Sequence, residues 1–143
     1  MRIFLDSDTI ISSIISDSGA SYHVLQYIIK YDAQGFYSNI SEIEILRVAE
    51  KLILQKENVQ RNLDILKTIH LPLVSLEYFQ KYHKYVNDSF DGHIVAAAVH
   101  SKVRFLLTYN SKDYNREKIK RDFDIIVLTP GVFLQYVRSR EKF

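Results

Sequence analysis

Arg2-Ile3-Phe4-Leu5-Asp6-Ser7-Asp8-Thr9-Ile10-Ile11 opens the chain with two patterns in one short stretch. Ile3, Phe4 and Leu5 form an unbroken apolar run that stops at an acid. Such a run reads as a short strand, Arg2 to Asp6, buried on both faces. Ile10, Ile11, Ile14 and Ile15 then recur at helical spacing, so a helix begins near Asp8. The Ser-Asp-Ser-Gly stretch ending at Gly19 breaks it.

The alternation continues downstream. A second helix carries Val24, Leu25, Ile28 and Ile29 on one face, and Gly35 to Ser38 forms a second strand. Ser41 to about Gln55 reads as an amphipathic helix with Ile45, Ala49, Leu52 and Ile53 at helical spacing. Asn58 to Lys67 continues helical. Leu73 to Ser75 is expected as a short strand and Glu77 to Val86 as a helix. Asp91 to Lys102 is a helix with Ile94, Val95, Ala98 and Val99 inside. Val103 to Leu107 and Ile125 to Leu128 are strands, and Pro130 opens a final helix at its first turn. Strands alternating with helices imply a parallel sheet covered on both faces.

The totals agree with one domain spanning 1–143. A chain of 143 residues is long enough for a sizeable core. With 47% apolar and 25% charged residues, its balance is that of a globular protein. A net charge of +2 gives no large uniform field of the kind that marks a nucleic-acid binder. The absence of cysteine excludes disulfides and thiolate metal sites and points to a reducing cytoplasm. The opening stretch has an acid inside its first apolar run and does not read as a signal peptide. No apolar stretch is long enough to cross a bilayer. There are no repeats or linkers, and four Gly and two Pro favour long helices with short connections.

Function is legible in where the acids fall. Ligands of open parallel sheets bind outside the carboxyl ends of the strands. Asp6 ends the first strand, and Thr108, Asn110 and Asp113 follow the strand Val103 to Leu107. Glu44 and Asp91 open helices that start at the same edge. Carboxylates crowded together stay ionised only if a cation neutralises them. Oxygen ligands without cysteine suit Mg²⁺ or Mn²⁺, and such a cluster fits phosphodiester hydrolysis.

Each acid also has a plainer explanation. Ser41-x-x-Glu44 is a ready-made capping box. Asp91 could cap its own helix, with Asp88 beside it. Asp113 in Asn-Ser-Lys-Asp is a common turn residue. Asp6 is harder to dismiss, because a charge ending a buried strand needs a reason. Their joint occurrence in this order is what points to a site.

That ordered set resembles the PIN-domain family from Arg2 to about Val137. Ile3-Phe4-Leu5-Asp6-Ser7-Asp8 resembles its apolar-Leu-Asp-Thr-Asn/Ser opening, with Asp6 as first acid. Ser38-Asn39-Ile40-Ser41-Glu42-Ile43-Glu44 resembles its serine followed six residues later by glutamate. Asp91-Gly92-His93-Ile94-Val95-Ala96-Ala97-Ala98 resembles its Asp-x-x-Ile-x-Ala-x-Ala helix. Leu106-Leu107-Thr108-Tyr109-Asn110-Ser111-Lys112-Asp113-Tyr114 resembles its Leu-Val-Thr-x-Asp/Asn-x-x-Asp-Phe motif. Ile126-Val127-Leu128-Thr129-Pro130 resembles its closing strand and turn.

The resemblance implies a three-layer α/β/α sandwich around a parallel sheet of about five strands. It implies a Mg²⁺- or Mn²⁺-dependent ribonuclease that leaves 5′-phosphate and 3′-hydroxyl ends, with Asp6, Glu44, Asp91 and Asp113 as catalytic and metal-binding acids. Short members of this kind are VapC-type toxins, dimeric and silenced by a small antitoxin whose segment blocks the acidic mouth. Two positions depart from the pattern. Asn110 stands where many relatives have Asp, so the fourth acid falls to Asp113 or is replaced by the neutral oxygen of Asn110. Asp8 stands where Asn or Ser is commoner and adds charge near the site. Thr108 could orient a ligand or water.

Two other readings compete. Asp6-Ser7-Asp8 also resembles the start of haloacid-dehalogenase-like phosphatases, but the Gly-Asp acidic motif they need is absent from the chain. A PIN fold that only holds RNA or a partner is the other, with Asn110 as its best support. Lys112, Arg116, Lys118, Lys120 and Arg121 could hold RNA phosphates, or form a solvated helix with the interleaved Glu117, Asp122 and Asp124. Tyr78, Phe79, Tyr82 and Tyr85 form an aromatic stripe better explained by packing than by base stacking. The five histidines have no metal-ligand spacing, and the tail Arg138, Arg140 and Lys142 reads as a solvated end.

Overall fold

A computed structural model describes residues 1–73 and 76–141. Five strands are present: β1 Arg2–Leu5, β2 Gln34–Ser38, β3 Lys67–Ile69, β4 Phe105–Leu107 and β5 Ile126–Leu128. The helices are α1 Ser7–Ile15, α2 Ala20–Lys30, α3 Asn39–Lys51, α4 Lys56–Asp64, α5 Gly92–His100, α6 Arg116–Phe123 and α7 Pro130–Glu141. Three 3-10 segments, Leu76–Tyr85, Ser89–Asp91 and Ser111–Asp113, complete the order.

All strand pairs are parallel, in the spatial order β3-β2-β1-β4-β5. Ile3 pairs with Gly35 on one side and with Phe105 on the other. The expected α/β sandwich with a five-stranded parallel sheet is thus what the chain forms.

The apolar run of β1 explains the two-sided burial. Ile3 and Leu5 point into one core with Phe105 and Leu107, under α1, α2, α3, α4 and α7. Phe4 points into the other with Phe36, Leu106 and Val127, under α5, α6 and the 3-10 run. Side chains alternate across a strand, so a run with no polar member feeds both layers. Each such residue contributes about 1.5–3 kcal/mol by leaving water. Ala96, Ala97 and Ala98 of α5 are fully buried, and their small side chains let that helix lie close against the sheet. β2 approaches its cover equally closely: a Cβ on Gly35 would stand 2.6 Å from Leu66 Cδ2 and 2.8 Å from Ile28 Cδ1.

Three elements differ from the sequence reading. Helix α3 ends at Lys51 rather than near Gln55, and Leu52 and Ile53, read onto its apolar face, lie beyond its end and are exposed. The third strand is Lys67–Ile69, where the reading carried a helix to Lys67. The strand expected at Leu73–Ser75 falls largely outside the described residues, which exclude Val74 and Ser75, as does the tail residue Lys142. Leu76–Tyr85 is a 3-10 run rather than an α-helix. The stripe itself supplies the reason. Phe79, Tyr82 and Tyr85 are spaced by three and all buried, and side chains three apart eclipse on a 3-10 helix.

Candidate active site

The sheet order reverses between β1 and β4, so both strands end side by side at the switch point. Two backbone bonds carry the pairing one residue past the strands, Asp6 N–H to Leu107 O (3.0 Å) and Thr108 N–H to Leu128 O (3.0 Å). Asp6 and Thr108 are therefore fixed next to each other by the ladder itself.

Asp6 is 6% exposed. One carboxylate oxygen accepts from Ser7 N–H (2.7 Å), capping α1, and the other accepts from Thr108 Oγ1 (2.9 Å) and the Tyr114 hydroxyl (3.4 Å). Helix capping is thus part of the reason for this charge. Burial, and then the neighbouring Asp8, push its pKa up to about 7 against the pull of the Thr108 and Ser7 bonds, with Asp91 adding to the rise.

Asp8 lies two residues on, in the first turn of α1, half-buried. Its Oδ2 accepts from Tyr109 N–H (3.2 Å), Asn110 Nδ2 (3.2 Å) and Thr108 Oγ1 (3.4 Å), and its Oδ1 from Thr9 Oγ1 (3.1 Å). Burial raises its pKa too. Thr108, fully buried, also accepts from Asn110 N–H at 3.1 Å.

The plainer explanations of Glu44 and Asp91 fail on geometry. Ser38, not Ser41, caps α3, accepting from Ser41 N–H at 3.0 Å. Glu44 is left on the second turn, where it accepts from Ser7 Oγ at 3.0 Å. Asp91 makes no capping bond to α5; Asp88 caps the turn before it through Phe90 N–H (3.0 Å). Burial, then Asp88, Asp113, Glu44 and Asp8 in turn, raise the Asp91 pKa. Asp113 closes an exposed 3-10 turn, as its turn-residue explanation has it. Asp8 and Asp91 thus act on the charge of Asp6, and Asp88, Asp113, Glu44 and Asp8 on that of Asp91, so these acids share one electrostatic neighbourhood at the carboxyl edge of the sheet.

Among the described residues no cation forms an ion pair with them. The ion pairs among the described residues are Arg104 and Lys120 with Asp124, and Arg121 with Asp122. Lys112 and Arg116 are exposed and enter none of them. Among the described residues no three His, Asp or Glu side chains already stand in ligating positions. The donor set still fits a hard divalent cation. It is all oxygen, one member is buried, and its charges are unmatched, so a cation entering would draw together side chains that now repel.

Three residues at the mouth escape sequence reasoning. Ser7 holds Glu44, and the Tyr114 hydroxyl reaches Asp6 from a side chain only 5% exposed. Nothing in the sequence separates that tyrosine from a core aromatic. His93, on the first turn of α5, has a buried Nδ1 without a hydrogen bond among the described residues. Burial lowers its pKa, and Glu44 partly offsets this. A groove of about 330 Å³ lined by Ile11, Ile15 and Val48 runs beside Ser7, Asp8 and Glu44.

A family model described as the PIN domain matches residues 2–112. Among solved structures the chain is similar to one in the crystal structure of VapBC2 from Rickettsia felis bound to a DNA fragment from their promoter. The match has a TM-score of 0.60 at 20% identity and covers 90% of this chain and 98% of the other. No curated protein matches.

Proposed function

Because this chain belongs to the PIN-domain family, we propose that it is a metal-dependent endoribonuclease, the toxin of a toxin–antitoxin pair. The observation that carries the reading is the mouth itself. Acids from residues 6, 44 and 91 gather around it with no protein cation among the described residues.

In this reading Asp6, Glu44 and Asp91 hold Mg²⁺ or Mn²⁺, with Asp113 adding charge from the rim. Bound there, the ion would polarise the phosphodiester and lower the pKa of water. The chain's own groups do the rest. Thr108 and Tyr114 fix one oxygen of Asp6 and Ser7 N–H the other, so the first acid cannot swing away. Ser7 Oγ holds Glu44 across from it. Lys112 and Arg116, next in sequence to the mouth and in no ion pair among the described residues, hold RNA phosphates, whereas Lys120 and Arg121 are engaged by Asp124 and Asp122.

A small antitoxin as partner is supported by the VapBC2 complex named for the similar structure and by the apolar groove beside the acids. A homodimer in the cytoplasm completes the reading; no helix among the described residues is long and apolar enough to cross a membrane. An aspartyl-nucleophile phosphatase is disfavoured, because the Gly-Asp motif it needs is absent from the chain and the PIN-domain model covers residues 2–112.

The test is cleavage of a panel of structured and single-stranded RNAs with Mn²⁺, with Mg²⁺ and with EDTA, comparing wild type with Asp6→Asn. Metal-dependent cutting lost in the variant supports the nuclease. A folded protein that neither cuts nor binds Mn²⁺ would instead be a PIN-fold binding module.

A further inference from the structure

Sequence alone leaves the fourth acid open between Asp113 and the neutral Asn110. Geometry adds a third candidate, Asp8, which the loop after β4 holds beside Asp6. Asp113 is exposed, and its side chain makes no hydrogen bond among the described residues; its part in the fold is a backbone one, its carbonyl accepting from Asn87 N–H at 2.8 Å. Asn110 has no charge to give, and its amide Nδ2 is turned to Asp8 Oδ2.

Resting on the ribonuclease reading above, we propose that Asp8 is the fourth acid of the metal-binding set and that Asn110 is its positioning partner. One hydroxyl links the two carboxylates: Thr108 Oγ1 lies 2.9 Å from Asp6 Oδ2 and 3.4 Å from Asp8 Oδ2. A hydroxyl carries one proton, so it cannot fully satisfy both oxygens, and the pair is left with excess charge at one point. The same Oδ2 of Asp8 is aimed by Tyr109 N–H and Asn110 Nδ2, both from the loop that follows β4. That loop fixes Asp8 beside the first acid rather than letting it point to solvent.

The two departures from the family pattern, Asp8 and Asn110, are thus the two ends of a single 3.2 Å hydrogen bond. An acid and an amide facing each other across such a bond can trade places, which keeps the bond and moves the charge by only about its length.

The experiment is Mn²⁺ titration calorimetry on wild type, Asp8→Asn, Asp113→Asn and the exchanged pair Asp8→Asn with Asn110→Asp. Melting of each protein with and without Mn²⁺ accompanies it. Asp8→Asn is expected to weaken Mn²⁺ binding about tenfold or more, and the exchanged pair to recover to within about threefold of wild type. Asp113→Asn is expected to stay within about threefold. Without metal, Asp8→Asn should melt no lower than wild type, because it removes a like charge from beside Asp6, while its gain in Tm from Mn²⁺ shrinks. A purely structural Asp8 would do the reverse, lowering the metal-free Tm and sparing affinity. Wild-type affinity in Asp8→Asn, a lowered metal-free Tm, or a folded exchanged pair that stays weak would each overturn the assignment. Wild type that binds no Mn²⁺ would overturn the nuclease reading, and this inference with it.

Discussion

The two edges of the sheet treat aspartate in opposite ways. At the amino edge, Asp124 is paired with Arg104 and Lys120, and Asp122, on the same helix end, with Arg121 and the Tyr85 hydroxyl. The Arg121 and Tyr85 bonds hold the Asp122 carboxyl down at about 2, and Lys120 and Arg104 lower that of Asp124. At the carboxyl edge, burial and one another's charge raise Asp6, Asp8 and Asp91. One edge is complete in itself. The other carries charge that nothing described in the chain balances.

The largest expected break in this contrast is Asp6→Asn. It should cut metal-dependent RNA cleavage by ~10³-fold or more, read on whichever RNA the wild type cuts best. It should also remove a pH dependence. The folded pKa of Asp6, about 7, lies above its ordinary 3.8. The folded form therefore holds that proton more tightly. The stability this group gives is greatest below about 3.8 and is lost as pH rises through about 7. Urea melts of the metal-free protein at points from about pH 5 to 8 should show this fall, and Asp6→Asn should flatten it. Asp122 runs the other way: its lowered pKa gives stability above about 3.8 that is lost as pH falls towards 2.

Next come Glu44→Gln and Asp91→Asn, each expected to cost ~10²-fold in cleavage with little change in Tm. Full activity in either would remove that residue from the ligand set. Tyr114→Phe sharpens the contrast more finely. It deletes one donor, 3.4 Å from Asp6, and should weaken Mn²⁺ binding only about two- to fivefold, in line with a long hydrogen bond to a charged group. Smallest of all, Asp122→Asn at the balanced edge should leave cleavage and Mn²⁺ affinity as they are. A large loss there would mean that the two edges are not independent.

Much of this was legible in the sequence. The apolar runs at Ile3–Leu5 and Phe105–Leu107 gave two-sided strands, and the acids at 6, 44 and 91 were picked out before their meeting could be seen. What escaped did so for physical reasons. The β3 strand is three residues long at a sheet edge, too short to show a period against the helix before it. The 3-10 run shows itself only in a spacing of three instead of alternating three and four. Capping by Ser38 competes with an equally good Ser41 signal, and only the observed start of α3 decides it. Hydrogen bonds such as Tyr114 to Asp6 join residues with a sequence separation of 108, and no local pattern encodes them.

That separation has a consequence in time. β1 takes β2 as its neighbour from the first third of the chain, but its other neighbour, β4, and the Thr108 that follows it lie about a hundred residues later. A chain emerging from a ribosome carries Asp6 and Asp8 long before Thr108, Asn110 and Tyr114 exist to fix them. The mouth cannot be assembled on a nascent chain until most of it has been made, so its charge is brought together late, by the last strands to emerge.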